Sequence, residues 1–145
     1  MKRVIVATIA TLAVFSMAFV SCAQKKPAAA PAPTFRVGLV TDIGGIDDKS
    51  FNQGTWEGVV RFAKEAGLKE GDYKYLQSKA EADYIPNLST FSDEKLDLIA
   101  APGFLFEKSM AEVADKYPNN KYLIIDSVVA KPNVASAVFA EHEGS

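Results

Sequence analysis

From Phe35 onward the spacing of apolar residues switches repeatedly between strand-like and helix-like segments. Residues 35–40 read as a first strand. Residues 50–66 predict a helix, because Phe51, Val59, Phe62, Ala63 and Ala66 fall near one stripe. Ser50 with Gln53 three residues on has the spacing of a capping box, and Gly67 supplies a stop. Residues 72–77 form a second strand around Tyr73, Tyr75 and Leu76. A second helix runs from 83 to about 95, with Pro86 tolerated in its first turn. Residues 97–101 are short and continuously apolar, as a strand buried on both faces should be. A third helix covers 104–117 and stops at Pro118, and strands follow at 121–125 and 134–139. This β-α-β-α-β-α-β-β order predicts an α/β class, a doubly wound, mostly parallel sheet with helices on both faces. Only Glu141 to Ser145 follow the last strand, so the helix that should cover it is missing and a truncated lobe over 35–145 is expected.

The front of the chain is different material. Lys2 and Arg3 precede an apolar run from Val4 to Val20, and Ser21 and Cys22 follow, so residues 1–21 read as a secretory signal. The run is short for a bilayer span, which needs about 20 residues, and Thr8, Thr11 and Ser16 interrupt it; a retained membrane anchor is the competing reading. Phe19-Val20-Ser21-Cys22 resembles a bacterial lipobox, with Phe19 in place of the usual leucine. Cys22, the sole cysteine, is then the lipidated first residue of the mature chain. Residues 22–34 follow as a Pro/Ala-rich tether, whose segment from Lys25 to Thr34 reaches on the order of 30 Å if mostly polyproline-like. Losing Lys2 and Arg3 with the signal moves the net charge from −2 to −4. A mildly acidic chain is not built for nucleic acid, where a basic face supplies most of the affinity.

Candidate chemistry follows from the predicted topology. In an open parallel sheet, ligands bind beyond the carboxyl ends of the strands, near the point where strand order reverses. Asp42 ends the first strand, Pro102-Gly103-Phe104 follows the third, and Asp126 ends the fourth. Either aspartate alone could be an ordinary turn residue. Two at corresponding strand ends, with Phe51 at the mouth of the first helix, describe a pocket. Phe51 could still be helix core, and Trp56 reads as packing. Asn52 offers both a donor and an acceptor. Asp47 and Asp48 read as acids complementing the helix dipole, and His142 as a solvated residue.

Asp42, Asp47, Asp48 and Asp126 crowd the helix start with negative charge, offset only by Lys49, so phosphates and carboxylates should be repelled. A neutral, donor-rich ligand with a flat face suits the pattern: a nucleoside, and less well a sugar. Enzyme readings fare poorly. A phosphotransfer aspartate at the first strand tip would want a second acid at position 44, which is glycine, and a receiver domain would want one where Ala101 and Pro102 stand. Neither the phosphate-loop nor the dinucleotide glycine pattern occurs, the single histidine leaves no triad, and the aspartate spacing does not match the calcium loop. No catalytic residue, metal or cofactor is expected.

The segments V-G-L-V-T-D-I-G-G-I-D-D-K-S-F-N-Q-G-T-W-E-G, G-F-L-F, Y-L-I-I-D-S-V-V and N-V-A-S-A-V-F-A-E-H-E-G-S closely resemble the basic membrane protein family, the PnrA-like purine nucleoside receptors of bacterial ABC transporters. The match covers essentially all of 35–145. The resemblance implies the first lobe of a two-lobed, type I periplasmic-binding-protein fold. It implies a membrane-anchored lipoprotein, on the periplasmic or cell-surface side, that captures a purine nucleoside (guanosine, inosine or adenosine) for a transporter permease. It assigns stacking on the purine to Phe51 and hydrogen bonding to Asn52, Asp42 and Asp126, with Gly103 and Phe104 bordering the site. The second lobe of the family pattern is absent, so only half a cleft is expected. The alternatives are a receptor for another neutral ligand such as a sugar, and a surface antigen or adhesin that keeps the fold.

Overall fold

A computed structural model describes residues 34–140. The signal, Cys22, the tether up to residue 33, and the tail with His142 lie outside the described residues. The strands are β1 (Val37–Thr41), β2 (Tyr73–Gln77), β3 (Leu98–Pro102), β4 (Tyr122–Ile125) and β5 (Val134–Ala137). The helices are α1 (Phe51–Ala66), α2 (Tyr84–Asp93) and α3 (Glu107–Lys116), with short 3₁₀ turns leading into the last two.

All five strands are parallel, in the order β2-β1-β3-β4-β5. Right-handed crossovers then settle where the helices lie. The step from β1 to β2 runs one way along the sheet, and the steps from β2 to β3 and β3 to β4 run the other. Accordingly α1 occupies one face, and α2 and α3 share the opposite one. Val40, Ile99, Ala101, Tyr122 and Ile124 point to the α2–α3 face, where Leu88, Phe91, Phe106, Met110 and Val113 close the main core. Gly38 lets that layer approach, because a Cβ there would meet the Phe91 ring at 2.5 Å. β4 reaches β5 without a helix. The connecting loop crosses the α3 face, burying Val129 and donating from the Asn133 amide to the carbonyls of Ala114 and Tyr117.

α1 departs from the sequence expectation in two ways. Val59 and Ala63 are buried, but Phe62 and Ala66 are exposed, and the Phe62 ring meets Phe35 edge-on at 5.7 Å. The stripe is therefore narrower than the apolar pattern implied, because the sheet beneath α1 extends past it on one side. The capping box is also replaced. The Ser50 side chain caps nothing, while Asp48 receives the backbone N–H groups of Ser50 (2.8 Å), Gln53 (3.0 Å) and Asn52 (3.2 Å). An ionised carboxylate two residues upstream accepts several N–H bonds at once, which a single hydroxyl cannot. Gly67 does end the helix, left-handed at φ 68°. Trp56 packs against Tyr75 and Tyr73, at ring-centroid distances of 5.1 and 5.9 Å, as a structural residue.

Candidate ligand cleft at the carboxyl edge of the sheet

The strand order reverses between β1 and β3, and the residues just beyond these strands and β4 form one edge. Asp42 leaves β1, Gly103 and Phe104 leave β3, and Asp126 leaves β4. Adjacent strands lie about 4.8 Å apart, so the tips of β1 and β4, with β3 between them, stand roughly 10 Å from each other.

The turn after β1 is held by a polar network. Asp42 Oδ1 accepts from the Gly44 N–H (2.8 Å) and from Asn52 Nδ2 (2.6 Å), and the same Nδ2 donates to Asp48 Oδ2 (2.9 Å). Asn52 Oδ1 accepts from the Asp42 N–H at 3.3 Å. Both amide hydrogens of Asn52 are thus committed, and the residue is only 2% exposed. What Asn52 does here is fix the rotamer of Asp42 against the first turn of α1. The second carboxylate oxygen of Asp42 accepts no hydrogen bond among the described residues. Gly45 makes the turn possible. Its φ is 70°, and a Cβ would sit 2.6 Å from the Gln77 amide at the end of β2.

Burial raises the pKa of Asp48, but hydrogen bonds from the amides of Gln53, Ser50 and Asn52, and from the Asn52 side chain, outweigh it. Its carboxyl is held below the usual aspartate range. Tyr84 lies buried beneath this turn, its ring 4.3 Å from that of Phe106. Burial, with the negative charges of Asp42 and Glu81 adding, pushes its hydroxyl above the ordinary value.

On the β3 side, Gly103 turns the chain at φ 98° and donates its N–H to the Ile125 carbonyl at 2.7 Å, tying the tips of β3 and β4 together. Phe104 then points outward, 67% exposed. Asp126 adopts φ 62°, a left-handed conformation that aspartate tolerates better than most residues, and its N–H is fixed to the Ala137 carbonyl at 2.7 Å. Its carboxylate accepts no hydrogen bond among the described residues.

Phe51 is 42% exposed, with one side of its ring covered by Phe139 at 5.8 Å. Ile43, Leu105, Val128 and Val138 are also exposed, and every one follows a strand's carboxyl end. Phe35, Val60, Phe62 and Tyr75 are exposed elsewhere, but the grouping at this edge makes it the candidate binding surface. The edge therefore has two half-buried carboxylates, exposed aromatic faces and a surplus of negative charge. No group of three or more metal-ligating side chains occurs among the described residues.

All the sequence-predicted side chains come to this edge, though Asn52 does so from underneath. Phe139 was missed, and Asp48 was read only as an acid complementing the helix dipole, not as the group that caps the helix and holds Asn52. The strand-end rule that selected Asp126 would also select the residues after β5, and the D-x-S-x-N spacing of residues 48–52 marks an aspartate that folds back on the next turn.

An all-parallel α/β sheet with helices on both faces in this order is a fold shared with the solute-binding proteins of ABC transporters. A solute-binding protein of an ABC transporter system from Aeropyrum pernix has the same fold, with a TM-score of 0.68 and 34% identity over 76% of this chain and 30% of its own. Among sequences, a CD4+ T-cell-stimulating antigen of Listeria monocytogenes is 41% identical over 114 residues, 77% of this chain and 32% of its own length. The ABC transporter nucleoside-binding protein BmpA of Lactococcus lactis is 36% identical over 112 residues, 76% of this chain and 32% of its own. The model of the PnrA-like ABC transporter substrate-binding proteins matches residues 35–145, and the chain belongs to that family. Its members are described as substrate-binding proteins and not as enzymes. The chain spans about a third of the length of the curated relatives it matches.

Proposed function

We propose that this chain is the ligand-facing first lobe of a lipid-anchored receptor that captures purine nucleosides for an ABC-transporter permease. The observation that carries the reading is the carboxyl edge itself, where Asp42 and Asp126, on strand tips roughly 10 Å apart, keep acceptor oxygens unengaged among the described residues, on the same edge as the half-exposed Phe51 ring. Ionised carboxylates reward O–H and N–H donors, at roughly 1.5–3 kcal/mol for each hydrogen bond to a charged group. A phenyl face adds stacking worth about 1–3 kcal/mol per base. The nucleoside named for the Lactococcus relative agrees with this chemistry. Phe104, on the adjoining strand tip, is the second aromatic border.

Four aspartates around one lysine disfavour an added phosphate, so charge separates nucleosides from nucleotides. A single lobe leaves the ligand half in water, where both kinds of contact are weak; an opposing lobe from further polypeptide completes the cleft. Cys22 carries the lipid anchor in this reading, outside the cell or in the periplasm. Titration calorimetry on protein carrying both lobes tests it, with guanosine, inosine and adenosine each compared with the 5′-monophosphate. Nucleosides bind and monophosphates bind at least roughly tenfold more weakly; equal affinities overturn the charge reasoning, and tight ribose binding favours a sugar receptor instead. The name of the Listeria relative favours a second reading, a surface antigen that keeps the fold. Failure of every small neutral ligand would support it.

A further inference from the structure

Tyr84, the first residue of α2, is buried with a hydroxyl that the fold does not use. The residue is only 2% exposed, yet its oxygen makes no hydrogen bond among the described residues. Ser89 Oγ is the one fully enclosed side-chain atom without a partner there, so the Tyr84 hydroxyl is not sealed in, and the exposed sliver of the residue includes its tip. Two neighbours fix where that tip emerges. The ring packs on Phe106, just past β3, with centroids 4.3 Å apart, while the negative charge of Asp42, just past β1, acts on the hydroxyl. The strand order reverses between β1 and β3, so Tyr84 lies at the floor of the crevice where open parallel sheets hold ligands.

We propose that the Tyr84 hydroxyl is a further ligand-contacting group, which donates to the ligand beside the free acceptor oxygen of Asp42 and selects a base with N–H next to C=O, a 6-oxopurine, over adenine. This rests on the nucleoside-receptor function proposed above and narrows it.

A buried donor is what the rest of the crevice lacks. The Thr41 hydroxyl donates to the Asp42 carbonyl at 2.9 Å, the Asn52 amide to Asp42 and Asp48, and the Ser127 hydroxyl to Glu107 at 3.1 Å. Ionised Asp42 and Asp126 only accept. A purine held against acceptors alone would strand its own acceptor atoms, and a buried polar group without a partner is costly. Tyr84 answers that need, because burial and the neighbouring acids keep its hydroxyl protonated. Guanine and hypoxanthine present N1–H beside O6, which suits Asp42 as acceptor and Tyr84 as donor. Adenine presents the opposite sense, with an amino group in place of the carbonyl and an unprotonated nitrogen turned to the carboxylate.

Titration calorimetry on protein carrying both lobes tests this with inosine, guanosine, adenosine and purine riboside, the last having no group at the 6-position, against wild type and Tyr84→Phe. Phenylalanine keeps the ring on Phe106 and removes an oxygen that bonds to nothing among the described residues, so the unfolding midpoint should hold. Inosine and guanosine should each weaken by at least about tenfold in the variant. Adenosine and purine riboside, the weaker ligands of the wild type, should shift by less than about threefold. Unchanged inosine affinity, an equal loss across all four ligands, or a lowered midpoint would each overturn the assignment of Tyr84 and leave the nucleoside-receptor function standing. A wild type that binds none of the four overturns that function, and this inference with it.

Discussion

Replacing Asp48 with alanine, beside a matched Ser50→Ala variant, isolates the group that starts α1. The carboxylate of Asp48 holds three backbone N–H groups of the first turn and one hydrogen of the buried Asn52 amide. Losing an N-cap acceptor costs about 0.5–2 kcal/mol. Leaving a buried amide hydrogen unpaired costs about 1–3 kcal/mol more. The two losses share Asn52 and do not add fully, so Asp48→Ala should lower stability by roughly 2–4 kcal/mol. In a domain near 100 residues that is a fall in Tm on the order of 10–20 °C. Ser50→Ala should stay within about 0.5 kcal/mol, because its side chain caps nothing.

The pH dependence gives an independent reading. A carboxyl held below its unfolded value contributes stability that is complete above that value and is lost as pH falls through the folded one. The margin of the wild type over Asp48→Asn should therefore be full above the ordinary 3.8 and shrink at lower pH. Urea unfolding of the three variants across acidic pH measures both effects. If Ser50→Ala is as damaging as Asp48→Ala, or if the margin over Asp48→Asn is flat with pH, Asp48 does not anchor the helix.

Asp42→Ala and Asp126→Ala should each weaken nucleoside binding by roughly one to two orders of magnitude in calorimetry, with smaller changes in unfolding midpoint than Asp48→Ala. Gly45→Ala should lower stability by about 1–3 kcal/mol, since its positive φ resists a Cβ that also meets Gln77; adding Gln77→Ala relieves the crowding but not the φ, so recovery is partial. Tyr122→Phe removes a buried 2.7 Å hydrogen bond to Ser92 and should cost about 1–2 kcal/mol by urea unfolding. Burial raises the hydroxyl pKa of Tyr122, with a partial offset from Ser92. Stability from the protonated hydroxyl is complete below the ordinary 10.0 and is lost as pH rises through the raised value, so alkaline melting should be gentler in Tyr122→Phe.

How much of this was legible in the sequence depends on the range of the interaction that decides each feature. Leu98 to Pro102 reads as a buried strand because both faces of a central parallel strand are covered, and residues with no polar alternation state that directly. Gly67 reads as a stop because a left-handed cap is a local property of glycine. The strand-end rule then gathers Asp42, Gly103 and Asp126 without any side-chain information. Phe62 was misplaced because helical periodicity reports an apolar stripe but not how wide a surface awaits it; Phe62 lies at the margin of α1, facing the uncovered part of the sheet. Ser50 was misassigned because its spacing to Gln53 fits a local motif, while Asp48 prevails by having two charged oxygens within reach of the same N–H groups. Asn52 shows the limit most clearly. Beside Phe51 in sequence it looks like a second ligand contact, but successive helical residues point about 100° apart, and when Phe51 faces outward Asn52 turns under the Asp42 turn. Its conversion to alanine should therefore loosen Asp42 and destabilise the fold together, whereas a residue that only touched ligand would change affinity alone.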